Sequence, residues 1–102
     1  MALVSAQNLV SQNAVVVFSK SYCPYCKKVK QLLSSLGAQV KVVELDLEKD
    51  GDEIQSALTN WTKQRTVPNV FVGGQHIGGC DDTMSKHNGG KLLPLLKEAG
   101  AV

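Results

Sequence analysis

The run Ala14-Val15-Val16-Val17-Phe18 contains no polar side chain. A strand that is apolar at every position is buried on both faces, so the rest of the chain has to cover it from two sides. Helical spacing flanks it. Leu3, Ala6, Leu9 and Val10 repeat at helical intervals over residues 2–12. Cys26, Val29, Leu33 and Leu36 do so over Pro24 to Leu36. Pro24 suits a first helical position, where its missing N–H is not needed, and Gly37 suits a C-terminal cap. Val40 to Leu47 reads as a second strand. A β-α-β unit of this kind calls for parallel pairing through a right-handed crossover.

Downstream, Asp52 and Glu53 open a helix with Ile54, Ala57, Leu58 and Trp61 on one face. Residues 69–72, Gly73-Gly74 and 75–77 predict a β-hairpin with a glycine turn. A short polar helix follows near Asp82 to His87, and a last helix begins near Lys91 with Pro94 in its first turn. The predicted order is α-β-α-β-α-β-β-α-α. It gives an α/β fold with a mixed four-stranded sheet and helices on both faces.

The 102 residues are read as a single domain spanning 1–102, long enough for a core without disulfide staples or structural metal. A net charge of +2 argues for neither nucleic acid nor a membrane as partner. The acidic cluster Glu44 to Glu53 reads as a solvated loop and helix start. Residues Met1 to Asn13 lack the basic start and long apolar run of a signal peptide, and no stretch approaches the ~20 apolar residues of a bilayer span. Three cysteines are an odd and small number for a secreted disulfide scaffold, so the expected compartment is the reducing cytoplasm.

Two of those cysteines carry the chemistry. In Cys23-Pro24-Tyr25-Cys26 the thiols sit at i and i+3, on neighbouring parts of one helical face. Their Cα atoms are then roughly 5–6 Å apart, within disulfide reach. Cys26 shares the apolar stripe with Val29 and Leu33, so it points inward. Cys23 falls at the helix mouth, among unpaired N–H groups and the positive end of the helix dipole. Lys20 and Lys27 stand nearby in sequence. Such surroundings lower a cysteine pKa from about 8.5 into a range of about 3.5–7.5. Cys23 is therefore read as the attacking thiol and Cys26 as the resolving one.

Other readings compete. A C-x-x-C can be half of a zinc site, completed by Cys80, His76 or His87. With no second C-x-x-C or H-x-x-x-H in the chain, no metal is expected. Pro68 in Thr66-Val67-Pro68 is either a plain trans helix terminator or a cis proline in a tight turn. Cys80 is either a small buried residue or a reactive third thiol. In the second case, a neighbouring helix N-terminus is expected to raise its thiolate fraction. His76 reads as a surface strand residue, His87 as a helix-end residue and Trp61 as core.

Three segments together resemble a dithiol glutaredoxin of plant-like type. They are Lys20-Ser21-Tyr22-Cys23-Pro24-Tyr25-Cys26, Gln64-Arg65-Thr66-Val67-Pro68-Asn69 and Gly78-Gly79-Cys80-Asp81-Asp82. The likeness covers nearly the whole chain. It implies a thioredoxin-like fold, with Pro68 in cis, and a monomeric glutathione-dependent thiol–disulfide oxidoreductase. Its partners would be glutathione and glutathionylated or disulfide-bonded proteins. The groove residues it implies for glutathione are Lys20, Tyr25, Gln64, Thr66, Val67, Cys80 and Asp81. Lys20 and Gln64 suit the glycyl carboxylate, and the Val67 backbone suits strand-like pairing with the tripeptide. Main-chain N–H groups at Cys80 and Asp81 suit the γ-glutamyl carboxylate, with the Asp81 side chain on the ammonium group. Gly78 and Gly79 allow the close backbone approach this needs, and Pro24 and Pro68 shape the two loops. Lys63 stands where many relatives carry glycine, which is where this chain departs from the family pattern. The competing class is a dimeric iron–sulfur carrier ligated by Cys23 and glutathione. A thioredoxin-like reductase of general disulfides would lack the Gln64 and Asp81 groove.

Overall fold

A computed structural model describes residues 2–102. The elements are α1 (Ala2–Gln12), β1 (Val15–Ser19), α2 (Pro24–Ser35), β2 (Lys41–Glu44), α3 (Gly51–Thr62), β3 (Asn69–Val72), β4 (Gln75–Gly78), α4 (Cys80–Asn88) and α5 (Leu92–Glu98). The sheet order is β2-β1-β3-β4, with β1 and β2 parallel and the other pairs antiparallel. The apolar run becomes β1, a central strand buried along its whole length.

Alternation along β1 divides the core in two, because successive side chains leave a strand on opposite faces. Val15 and Val17 join Val29, Leu33, Val70, Leu92 and Leu96 on the face covered by α2, α4 and α5. Val16 and Phe18 join Ala6, Val10, Ile54, Leu58 and Phe71 under α1 and α3. Phe71 is the centre of that second layer. Phe18 meets it edge-on at 5.9 Å and Trp61 stacks on it at 5.0 Å.

Two boundaries and the burial of one residue differ from the sequence reading. The strand expected over Val40 to Leu47 is shorter. Leu45 N–H still donates to Ser19 O at 2.8 Å, but Leu47 and Glu48 N–H both turn back to Glu44 O. Leu45 is apolar because it is 3% exposed inside the α1–α3 layer, not because it lies in a regular strand. The helix expected from Asp82 starts at Cys80, since Gly79 N–H is bound by the Asp82 side chain and Thr83 N–H closes the first turn on Gly79 O. His76 is half-buried rather than a surface residue. His76 stands opposite Phe71 across the Gly73-Gly74 turn, and its ring lies 5.0 Å from Phe71 with Nε2 2.7 Å from Asn69 Oδ1.

Among the glycines, Gly51 is the tightest fit. A Cβ there would stand 1.8 Å from Leu45 O, so the first residue of α3 is pressed directly onto the turn that follows β2. Gly37, at φ +78°, ends α2 as the sequence suggested, with Ala38 N–H bound to Leu33 O.

Candidate active site

Cys23 caps α2. Its own backbone is extended, at φ −82° and ψ 119°, and its Sγ accepts the Cys26 N–H at 3.4 Å. The sulfur thus does what an N-cap oxygen does elsewhere, satisfying a first-turn donor. Burial pushes the Cys23 thiol up, but hydrogen bonds from the Cys26 side chain and from the Cys26 and Tyr25 main chain, with the Lys30 charge, bring it below the ordinary thiol range. Lys30, a turn beyond the expected Lys27, is the leading cation acting on it; its ammonium also pairs with Glu44 at 3.0 Å.

Cys26 has no exposed surface. Burial pushes its thiol up, and this outweighs the Lys20 main chain and the Ser19 hydroxyl, which pull the other way. Two thiols one helical turn apart are therefore shifted in opposite directions. Perturbation of this kind, set by a helix terminus on one side and burial on the other, is the condition for one thiol to attack and the other to wait.

A groove of about 510 Å³ runs beside Cys23, lined by Tyr25, Gln64, Thr66, Val67, Pro68, Gly79, Cys80, Asp81 and Asp82. Six of the seven residues named from the sequence lie in it, and Lys20 does not. Cys23 Sγ is 3.9 Å from the main-chain O of Val67, one of the lining residues. The Val67–Pro68 bond is cis, as the resemblance implied where the residues alone left it open. On the far wall, the first-turn N–H groups of α4 have no intrahelical partners. Gly78 holds φ +122°, and a Cβ there would meet Asp82 Oδ2 at 2.3 Å.

Two expected residues are used differently from the reading above. The Gln64 amide donates to Thr66 O at 3.1 Å and Pro68 O at 2.9 Å, so it braces the loop that carries Val67. Lys63, just before it, takes φ 67°, the left-handed conformation that glycine supplies most easily. Gln64 N–H is then held by Thr62 Oγ1 at 3.1 Å, so its backbone is fixed without glycine. Cys80 is 8% exposed, and burial pushes its thiol up rather than toward thiolate. That overturns the expectation that the helix terminus would activate it. Among the described residues, no group of three or more His, Cys, Asp or Glu side chains could hold a metal ion, and no helix is long and apolar enough to cross a membrane.

The sequence reading missed Ser21 and Asp46. Ser21 N–H donates to Asp46 Oδ1 at 2.9 Å, and the Ser21 hydroxyl donates to Asp46 Oδ2. The available signal was register: Ser19 pairs with Glu44, which carries residues 20–21 alongside residues 45–46.

The glutaredoxin family model matches residues 15–77. A Vernicia fordii glutaredoxin is 68% identical over 102 residues, covering 100% of this chain and 98% of that protein. One from Ricinus communis is 69% identical, with both chains covered in full. This chain belongs to the glutaredoxin family. It is an enzyme of the thiol–disulfide oxidoreductase class. A crystal structure of a buckwheat glutaredoxin–glutathione complex superposes with a TM-score of 0.99 at 62% identity, covering 100% of this chain and 93% of that one. The mixed sheet with helices on both faces is the thioredoxin-like fold of the glutaredoxins.

Proposed function

We propose that this glutaredoxin reduces protein–glutathione mixed disulfides and protein disulfides, with Cys23 as nucleophile and glutathione as reductant. The observation that carries the proposal is the placement of a thiol of lowered pKa against Val67, in the wall of a groove that also takes in the first turn of α4. Glutathione presents two carboxylates, an ammonium group and an extended backbone. The Val67 main chain suits the backbone, and the first turn of α4 suits the γ-glutamyl carboxylate. Asp81, exposed at that turn, suits the ammonium. A relative with 62% identity forms a complex with this tripeptide.

The Cys23 thiolate attacks the glutathionyl sulfur of a mixed disulfide. The protein thiolate leaves and takes up a proton, while glutathione remains on Cys23. A second glutathione thiolate then attacks that disulfide, releasing oxidised glutathione and restoring the Cys23 thiolate. With a protein disulfide, the attack leaves the substrate itself joined to Cys23; the Cys26 thiol, after losing its proton, displaces it, and two glutathione molecules reduce the resulting Cys23–Cys26 disulfide and leave as oxidised glutathione. The Gln64 amide, engaged with Thr66 O and Pro68 O, shapes the wall, and Lys20, which the resemblance implies for the glycyl carboxylate, would have to reach it from outside the groove lining. We further propose that the enzyme acts as a monomer in the reducing cytoplasm, where so small and odd a cysteine count is usual.

The test is reduction of a glutathionylated peptide coupled to glutathione reductase, with each cysteine replaced in turn by serine. Cys23→Ser is expected to lose all turnover. Substantial turnover in that variant would overturn the assignment.

A further inference from the structure

The geometry points to Asp46 as a positioning residue for the reacting thiol, fixing the Lys20–Cys23 turn through Ser21. This rests on the reading of Cys23 as the attacking thiol. Cys23 N–H donates to Lys20 O at 3.0 Å, closing a four-residue turn between β1 and α2. Ser21 is the second residue of that turn. One carboxylate takes both of its donors, the N–H at 2.9 Å and the hydroxyl. Attachment at two points defines the orientation of the turn as well as its distance, which a single hydrogen bond would not.

Asp46 is itself held. Leu45 N–H donates to Ser19 O at 2.8 Å, and Gly51 packs on Leu45 O from the other side. The link therefore runs from the start of α3, through the turn after β2, to the residue two before Cys23. Displacing that turn moves Cys23 Sγ away from the Cys26 N–H, at 3.4 Å, on which its acidity depends. The charged and titratable groups around the turn are Lys20 and Tyr22 within it, Asp46 against it, Cys26 and Lys30 on α2, Glu44 paired with Lys30 at the end of β2, and Cys80 on α4. The two Ser21 hydrogen bonds, aided by Lys20, hold the Asp46 carboxyl below its ordinary range.

Position and charge predict opposite signs. Asp46→Ala removes a negative charge near the thiol, which by electrostatics alone favours thiolate and moves the pH midpoint of Cys23 alkylation down. Loss of the clamp moves it up. The experiment is iodoacetamide labelling of Cys23 in the reduced full chain across pH, for wild type, Asp46→Ala, Asp46→Asn and Ser21→Ala. Asparagine keeps an acceptor for the N–H and a polar partner for the hydroxyl. The expected result is a midpoint raised in Asp46→Ala, with labelling at neutral pH slowed by up to about tenfold because the thiolate fraction falls. Ser21→Ala should be raised by less, and Asp46→Asn should remain within about twofold of wild type because its hydrogen bonds survive. An unchanged or lowered midpoint in Asp46→Ala, or an equal rise in Asp46→Asn, overturns the inference. Should Asp46→Ala not fold by circular dichroism, an unshifted Ser21→Ala overturns it instead. Labelling needs no glutathione, so a wild type inactive in the coupled assay would refute the glutathione reading while leaving this result to stand or fall alone.

Discussion

Gly51→Ala puts a methyl group where no atom fits. The Cβ would lie 1.8 Å from Leu45 O and 2.7 Å from Leu45 C. Both are backbone atoms, so no side chain can rotate away, and relief requires the two segments to part by roughly 1.5 Å to reach van der Waals contact. Leu45 resists, because it is buried at 3% exposure and its N–H holds Ser19 O. Overpacking costs about 1–3 kcal/mol, with a backbone clash toward the upper end. Alanine gains up to about 1 kcal/mol over glycine in a helix interior, but less here because Gly51 is the first residue of α3. The net loss is about 2 kcal/mol. At about 2.1 cal/mol/K per residue, a chain of 102 residues has an unfolding entropy near 0.2 kcal/mol/K, so the midpoint should fall by about 10 °C. Thermal unfolding followed by circular dichroism, with a urea titration to check that the m-value is unchanged, measures it. A variant as stable as wild type would show that the α3 start yields freely and that the contact constrains nothing.

Four further outcomes are expected. At neutral pH the native reduced chain should take up one alkyl group rapidly, at Cys23, and all three thiols should react after denaturation; the Cys23 rate should fall as pH drops through its lowered pKa, while comparable native labelling of Cys26 or Cys80 by mass spectrometry would contradict the opposed shifts. Cys26→Ser should keep deglutathionylation and lose most reduction of protein disulfides, so parallel loss of both would mean Cys26 does more than resolve. Lys63→Gly should raise stability by about 0.5–1 kcal/mol, since relief of left-handed strain exceeds the added freedom of the unfolded chain; an unchanged or lower urea midpoint would refute this. Cys80→Ser should leave turnover within about twofold, because the burial that shields Cys80 also keeps its thiol protonated; a larger loss would mean the sulfur itself serves the reaction.

The periodic elements were legible because burial writes them directly into the sequence. β1 had to be apolar throughout to be covered from both faces, and Cys26 declared its inward direction by sharing a stripe with Val29 and Leu33. Contacts that cross between strands were not written in this way. Asp46 looks like one more acidic loop residue until Ser19 pairs with Glu44 and brings it to Ser21. His76 was misplaced because its side chain packs on the Phe71 ring opposite it across the hairpin, a cross-strand contact that alternation along one strand does not show. Gln64 was recognised as part of the groove, but where its amide points is decided by the carbonyls of Thr66 and Pro68. For Cys80, proximity to a helix start suggested activation, and only its burial reverses the sign.

The full burial of Cys26 bears on damage as well as on turnover. A peroxide arriving from solvent meets Cys23 first and converts its thiolate to a sulfenic acid. Left alone, that group can take a second oxygen and become sulfinic acid, which the glutathione pool does not reverse. Cys26 is one helical turn away, with its N–H already on the Cys23 sulfur at 3.4 Å. Condensation of its thiol with the sulfenic acid releases water and leaves an internal disulfide, the same species that reductant returns to the dithiol. The interior thiol is thus kept from oxidants itself and stands ready to quench the first lesion on its neighbour before a second can follow.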